Sequence, residues 1–183
     1  MKTVNAIGKN EIAVIHSLLE KNHGQIYADV WKFGVNVGLR ISDLLKLRFS
    51  DCDLNNRLIR LVEEKTGKLK ELRLNDAAMG IINRRQQENP ADVWLFQVHS
   101  RRANNKPISR ETVSRAFKEA GDRLGLNVGT HSMRKSRGKA MHDDGIAIEK
   151  IAKVLNHSNT ASTLRYLGIE REDVLNTYDD YQL

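Results

Sequence analysis

Apolar positions recur every three or four residues from the start of the chain. In NEIAVIHSLLEKN, Ile12, Ile15, Leu18 and Leu19 fall on one helical face, and Asn10 is placed to cap it. In GQIYADVWKFGVNVGLR, Ile26, Val30, Phe33 and Val37 continue the rhythm as a second amphipathic helix. RISDLLKLRFSDCDL reads as a short helix, with Ser42 or a neighbour near its start and Leu44, Leu45 and Leu47 turned inward. The period then shortens. RLIRLVEEKTGKLKELRLN alternates apolar and charged residues on both sides of Thr66-Gly67, the pattern of a β-hairpin. DAAMGIINRRQQEN returns to helix and stops at Asn89-Pro90, and VWLFQ is a short apolar run, either strand or buried loop. SRETVSRAFKEAGDRLG carries a helix capped by Ser109 and closed by Gly125. HSMRKSRGKAMHDDG, AIEKIAKVLNH, NTASTLRYLG and EREDVLNTYDDYQL all read as helices. No repeat, low-complexity tract or Pro/Gly/Ser-rich linker divides the chain, so the expectation is one domain over residues 1–183. Its predicted class is mostly α with a small antiparallel sheet or hairpin (α+β).

Composition narrows the setting. At 183 residues the chain is long enough to bury a real core. Nothing approaches the ~20 apolar residues that span a bilayer, and the first residues lack the apolar stretch of a signal peptide. The single cysteine, Cys52, excludes an internal disulfide framework and fits a reducing cytoplasm, the expected location. A formal charge of +7 makes a polyanion a natural partner.

The polar residues that could carry chemistry are Arg40, Lys65, His131, Arg134, His157 and Tyr166. Taken singly each has an ordinary role. Arg40 could face solvent, although a cation at a helix start opposes the helix dipole. Lys65 could be a solvated turn residue, and His157 could bond the last carbonyls of a helix. His131 and Arg134, three apart, share a face of any helix they occupy.

Together they make a phosphodiester-cleaving set. Attack on a DNA phosphate builds negative charge on its non-bridging oxygens, which suits the always-protonated, forked guanidinium of arginine. A tyrosine nucleophile, with an unperturbed pKa of about 10, must lose its proton as it attacks. The leaving 5′-oxygen needs a proton in return, which lysine can supply. No metal is called for. The six histidines (16, 23, 99, 131, 142 and 157) form no H-E-x-x-H or H-x₃-H pair. There is also no G-x-x-x-x-G-K-[ST] loop and no G-x-S-x-G elbow.

In their order along the chain these residues resemble the tyrosine recombinase (phage integrase) family. GLRISDLLKL resembles the family's first box, an arginine followed at +3 by an acid, here Arg40 and Asp43. EEKTGKLKELRL resembles its hairpin with the catalytic lysine, mapped to Lys65, with Lys68 and Lys70 as rivals. THSMRKS matches the H-x-x-R box at His131 and Arg134. VLNHSNTASTLRYLG matches the last box, His157 lying nine residues before Tyr166 and 23 after Arg134.

The resemblance implies the tyrosine recombinase catalytic-domain fold and a site-specific strand exchange without a cofactor. Tyr166 would form a 3′-phosphotyrosyl link and release a 5′-hydroxyl. Arg40, Arg134 and His157 would hold the non-bridging oxygens. Lys65 would protonate the leaving oxygen, His131 would assist as acid or base, and Asp43 would orient the site without touching DNA. The implied partner is double-stranded DNA, bound by a homotetramer that is monomeric when free, with no membrane involved. Residues 169–183 are the candidate for a C-terminal segment exchanged between protomers.

Three departures stand out. Lys135 replaces a histidine usual in the third box, and Asn156 stands where glycine is usual. The N-terminal core-binding domain of most members is absent from these residues. DNA contacts would then rest on Arg101, Arg102, Lys106, Arg110, Arg115 and Lys118. Two other readings share parts of the pattern: type IB topoisomerase-like strand cleavage, and a DNA-binding regulator that has lost catalysis.

Overall fold

Helix α1 (Lys9–His23) and helix α2 (Gln25–Val37) form an antiparallel hairpin joined at Gly24, whose φ of 100° turns the chain in a single residue. In this computed structural model, residues 4–100, 105–168 and 175 are described. After α2 come α3 (Ile41–Leu45), a 3₁₀ turn at Phe49–Asp51, and the strands β1 (Cys52–Asp53), β2 (Leu58–Val62) and β3 (Leu69–Arg73). Helices α4 (Asp76–Glu88), α5 (Arg110–Asp122), α6 (Thr130–Asp143), α7 (Ile148–Val154) and α8 (Thr160–Leu167) complete the order. The strands pair antiparallel in the order β1-β2-β3, with Leu61 opposite Lys70 and Val62 opposite Leu69. The expected class, mostly helical with a small antiparallel sheet, is what the chain adopts.

The core gathers around α2, which packs on α1, α4 and α6. Trp31 meets Phe117 of α5 edge-on at 5.1 Å, and Phe33 meets Phe96 at 5.6 Å, all four rings fully buried. At Gly34 any side chain would overlap the sulfur of Met133, so a glycine lets α2 and α6 approach closely. A second, smaller cluster of Ile151, Leu155 and Leu167 seats α7 and α8, with Tyr166 packed at its edge.

The first residues are strapped onto α6. Asn5 and Asn127 exchange two hydrogen bonds of 2.9 Å, and the Ile7 amide donates to Ser136 Oγ at 2.8 Å. Lys135, buried at 9% exposure, sends its ammonium to the Val4 carbonyl at 3.3 Å. The lysine that departs from the family pattern thus holds the strap.

Two local expectations change and one open choice closes. Asn10 lies inside α1, which starts at Lys9 after Gly8 with no side-chain cap. The VWLFQ run is a loop, buried at Leu95, Phe96 and Gln97: Arg85 donates to the Leu95 carbonyl at 2.6 Å and to the Gln97 carbonyl at 3.3 Å, while its own charge meets Asp29 at 3.2 Å. Helix α5 is capped by Ser109 but ends at Asp122; Gly125, at φ 67°, closes the turn beyond it. The EREDVLNTYDDYQL segment lies outside the described residues, apart from Leu175.

Candidate active site

Helix α2 stops at Gly38, whose left-handed φ of 66° swings the chain into Leu39 and Arg40. The left-handed turn favours glycine there, and a Cβ would lie 2.8 Å from Arg137 Cδ, so that a larger residue would also have to move the arginine side chain. Arg40 follows as the residue capping α3. Its place at a positive helix end is offset by an acid: Arg40 Nη1 lies 3.0 Å from Oε1 of Glu63, a residue with no exposed surface. Asp43, three residues on and also buried, accepts the Glu64 amide at 2.9 Å and so fixes the hairpin base to α3.

Arg134 reaches the same place from α6. Only 3% exposed, it donates from Nη1 to the Gly38 carbonyl at 2.8 Å. Among the described residues, its Nη2 is buried with no hydrogen-bond partner. His131, one turn earlier, is exposed, and its backbone carbonyl accepts the Tyr166 hydroxyl at 3.3 Å.

The last box folds around a left-handed residue. Asn156 has φ 48°, and the His157 amide then bonds back to Ala152 at 2.9 Å, ending α7. Asn159 caps α8 by accepting the Ser162 amide at 2.7 Å. Buried Thr163 holds His157 Nδ1 at 2.9 Å. The nine-residue spacing therefore stacks the His157 ring edge-on against Tyr166, centroids 5.0 Å apart.

The hairpin lysines separate. Lys70 points inward, with its ammonium 3.0 Å from the Val154 carbonyl and 3.7 Å from Glu63 Oε1. Lys65 and Lys68 are exposed near the turn, and the Lys65 charge acts on His131. Arg40, Arg134, His157 and Tyr166 are thus brought together, with His131 and Lys65 at the rim.

Electrostatics reflects this crowding of cations. Burial, then Arg134, Arg40 and Lys70, lower the His157 pKa to about 4. Burial lowers His131 as well, helped by Arg110, Arg134, Arg40 and Lys65. Burial raises the Tyr166 phenol, against the pull of Arg134 and Arg40. Lys70 is lowered by burial and by Arg134, with Glu63 opposing.

Comparison with known proteins gives the family and the fold. The phage integrase family profile matches residues 6–172. The chain belongs to the phage integrase family. Among its relatives is a probable integrase/recombinase, YoeC, of Bacillus subtilis (strain 168), 32% identical over 88% of this chain and 86% of that protein. Tyrosine recombinase XerA of Pyrococcus furiosus is 31% identical over 72% of this chain and 46% of its own length. The chain thus spans most of the first relative and about half of the second. The fold superposes on a crystal structure of XerA recombinase with a TM-score of 0.74 at 17% identity, covering 100% of this chain and 67% of that one. A Tn1549 transposon integrase in complex with circular intermediate DNA gives 0.77 at 17% identity, over 98% and 67%. This integrase-family chain has the tyrosine recombinase catalytic-domain fold.

Of the groove candidates, Arg110 is exposed at the start of α5, close enough for its charge to act on His131. Lys106 and Arg115 are exposed, and Lys118 pairs with Asp122 at 2.6 Å. Arg101 and Arg102 lie outside the described residues. Among the described residues, no helix is long and apolar enough to cross a membrane.

Sequence reasoning missed Glu63 and Thr163 and left Lys70 as a rival only. A signal for the first existed. Strand alternation puts Glu63 on the same face as Ile59 and Leu61, and Lys70 with Leu72, while Val62 and Leu69 take the outward positions. Charged residues at inward parity mark a buried ionic site.

The histidines carry a pH dependence. His157, His131 and His16 all have folded pKa values below 6.5, so the unfolded chain binds more protons as pH falls through that value. Stability should therefore drop on acidification from about pH 6.5 (the ordinary histidine pKa) towards about 4, where His157 itself titrates in the fold. Thermal melts between pH 7.5 and 5 should show Tm falling, with a shallower fall in His157→Gln. A flat Tm over that range would contradict the partial burial of His157 and His16.

Proposed function

We propose that this chain cuts and rejoins double-stranded DNA at a specific site through a 3′-phosphotyrosyl intermediate on Tyr166. The observation that carries the reading is the convergence of Tyr166, His157, Arg40 and Arg134 in a cluster rich in positive charge, with Arg134 Nη2 buried and, among the described residues, unpartnered. An unsatisfied guanidinium donor of that kind fits a phosphate oxygen.

The Tyr166 oxygen attacks phosphorus as its proton leaves, and the bond to the 5′-oxygen breaks. Arg40, Arg134 and His157 hold the non-bridging oxygens, whose charge grows in the transition state. At neutral pH His157 meets the phosphate uncharged, and the arriving anion favours its protonation. His131 assists as acid or base at the rim. Rejoining runs the same steps backward with a 5′-hydroxyl from the other duplex, so the bond energy is conserved and no cofactor enters.

Lys65 is the proposed acid for the leaving oxygen. Its ammonium is exposed at the turn and available to DNA, whereas Lys70 is engaged with Val154 and Glu63. Lys65→Ala should slow cleavage by about 10²-fold or more. On DNA with sulfur in place of the bridging 5′-oxygen, the thiolate leaves without a proton, so the variant should approach wild-type rate. Lys70→Ala rescued by sulfur instead would transfer the role to Lys70.

The partner is duplex DNA in the cytoplasm, contacted through Lys106, Arg110, Arg115 and Lys118 with Arg101 and Arg102, and the working assembly is a tetramer formed on DNA from free monomers. Binding should weaken steeply with salt. The test is a nicked duplex carrying candidate attachment sites, which traps cleavage as a covalent protein–DNA adduct on a denaturing gel. A wild-type adduct supports the reading. Salt-sensitive binding without an adduct would favour a regulator that has lost the reaction.

A further inference from the structure

We propose that Glu63 is a positioning residue for strand cleavage, a buried carboxylate that holds Arg40 and Lys70 in place before DNA arrives and is itself aimed by Asn156. The proposal rests on reading the cluster as a phosphate site. Glu63 has no exposed surface, and among the described residues the hydrogen bonds and salt bridges of its side chain go to Thr66, Asn156, Arg40 and Lys70. Its Oε2 accepts from Thr66 Oγ1 at 3.0 Å and from the Asn156 amide. Its Oε1 faces Arg40 Nη1 at 3.0 Å and Lys70 Nζ at 3.7 Å.

The two halves of the carboxylate differ in kind. Oε2 is anchored by two hydrogen bonds. Oε1 and Arg40 Nη1 are both buried without completing a hydrogen bond, so they meet as charges and not as a directed pair. An anchored oxygen fixes where the charge sits, and an undirected ion pair is one that a phosphate oxygen can compete with. Three cations, Arg40, Arg134 and Lys70, crowd this site, and without an anion between them they would repel. Glu63 supplies that anion until the phosphate arrives.

Asn156 gains a use by the same argument. Its φ of 48° suits glycine better, and glycine is usual there in the family the chain resembles. Only a side chain can donate to Glu63, and the amide of Asn156 does so across the gap between hairpin and α7. The departure from glycine and the buried glutamate are therefore one device.

The test uses the full chain and measures three quantities: single-turnover adduct formation on the nicked duplex at saturating DNA, DNA Kd, and Tm. Glu63→Gln keeps the size and an acceptor but removes the charge. Asn156→Gly keeps the turn and removes the amide. Misplacement of a site group can cost on the order of 10²-fold, and Glu63→Gln should slow adduct formation by about tenfold to that value, with Kd within about threefold of wild type. Glu63→Asp should recover part of the rate. Asn156→Gly should cause a smaller loss, and the double variant should be no slower than Glu63→Gln alone, the mark of residues acting as a unit.

Wild-type rate in Glu63→Gln would overturn the proposal. So would a rate loss matched by parallel losses of Tm and affinity, or losses that multiply in the double variant. Should Glu63→Gln fail to fold, Asn156→Gly decides: wild-type rate in it overturns the device. Absence of an adduct from wild type would overturn the cleavage reading and this role with it, whereas a wild-type adduct with an unaffected Glu63→Gln removes only the role of Glu63.

Discussion

Tyr166→Phe is expected to give no covalent adduct on a nicked duplex, a loss of at least about 10⁴-fold, while DNA binding and folding persist. The reasoning is local. The hydroxyl bonds the His131 carbonyl at 3.3 Å and lies beside the Arg134 guanidinium, and His131 is exposed enough for water to take the hydroxyl's place. Losing one such bond costs roughly 1 kcal/mol of stability. The ring itself stays packed against His157 and the Leu155–Leu167 cluster. Only the nucleophile disappears. An adduct that survives the substitution would move the nucleophile elsewhere, with Tyr178 and Tyr181 the residues to replace next. Because burial raises the resting phenol, the adduct-forming rate of wild type should also climb with pH until the proton acceptor no longer limits it.

The second large effect is expected at Arg134. Its guanidinium does two things at once: Nη1 braces the end of α2 through the Gly38 carbonyl, and Nη2 is left for an incoming oxygen. A lysine has one nitrogen and cannot meet both demands. Arg134→Lys should therefore keep the charge and much of the DNA affinity but slow adduct formation by about 10²–10³-fold. Arg134→Ala should lose as much and also destabilise the fold, since the Gly38 carbonyl is left without its donor. Comparing the two separates charge from geometry. If Arg134→Lys cleaves at nearly wild-type rate, the fork is not what the site uses.

Much of this was readable from residue spacing, and the reasons are physical. His131 and Arg134 are three apart because α6 must bring them to one side, although the largely polar α6 has little amphipathic period of its own. The step from His157 to Tyr166 is a turn plus one short helix, so its length carries the geometry. The hairpin showed itself by alternation around Thr66-Gly67. What stayed hidden depends on contacts between distant segments. The Gly38 carbonyl becomes a partner of Arg134 only after α2 and α6 close over Gly34. Thr163 meets His157 only because Asn156 takes a left-handed conformation. By residue type Glu63 looks like one more charge on a hairpin, while its parity places it inward. Asn10 was preferred as a cap on residue type alone, while the helix had already begun one residue earlier.

The strap between the first residues and α6 bears on how this chain can be recombined with its relatives. Lys135 follows Arg134 directly, and its ammonium is spent on the Val4 carbonyl at the far end of the sequence. A third box transplanted from a relative with histidine at that position would remove this tether, and Ser136 beside it holds Ile7. A chimera that exchanges the box alone would thus inherit a loosened helix under both His131 and Arg134. One that carries residues 4–8 along with it would not. The two stretches lie about 130 positions apart, yet they form a single module of exchange.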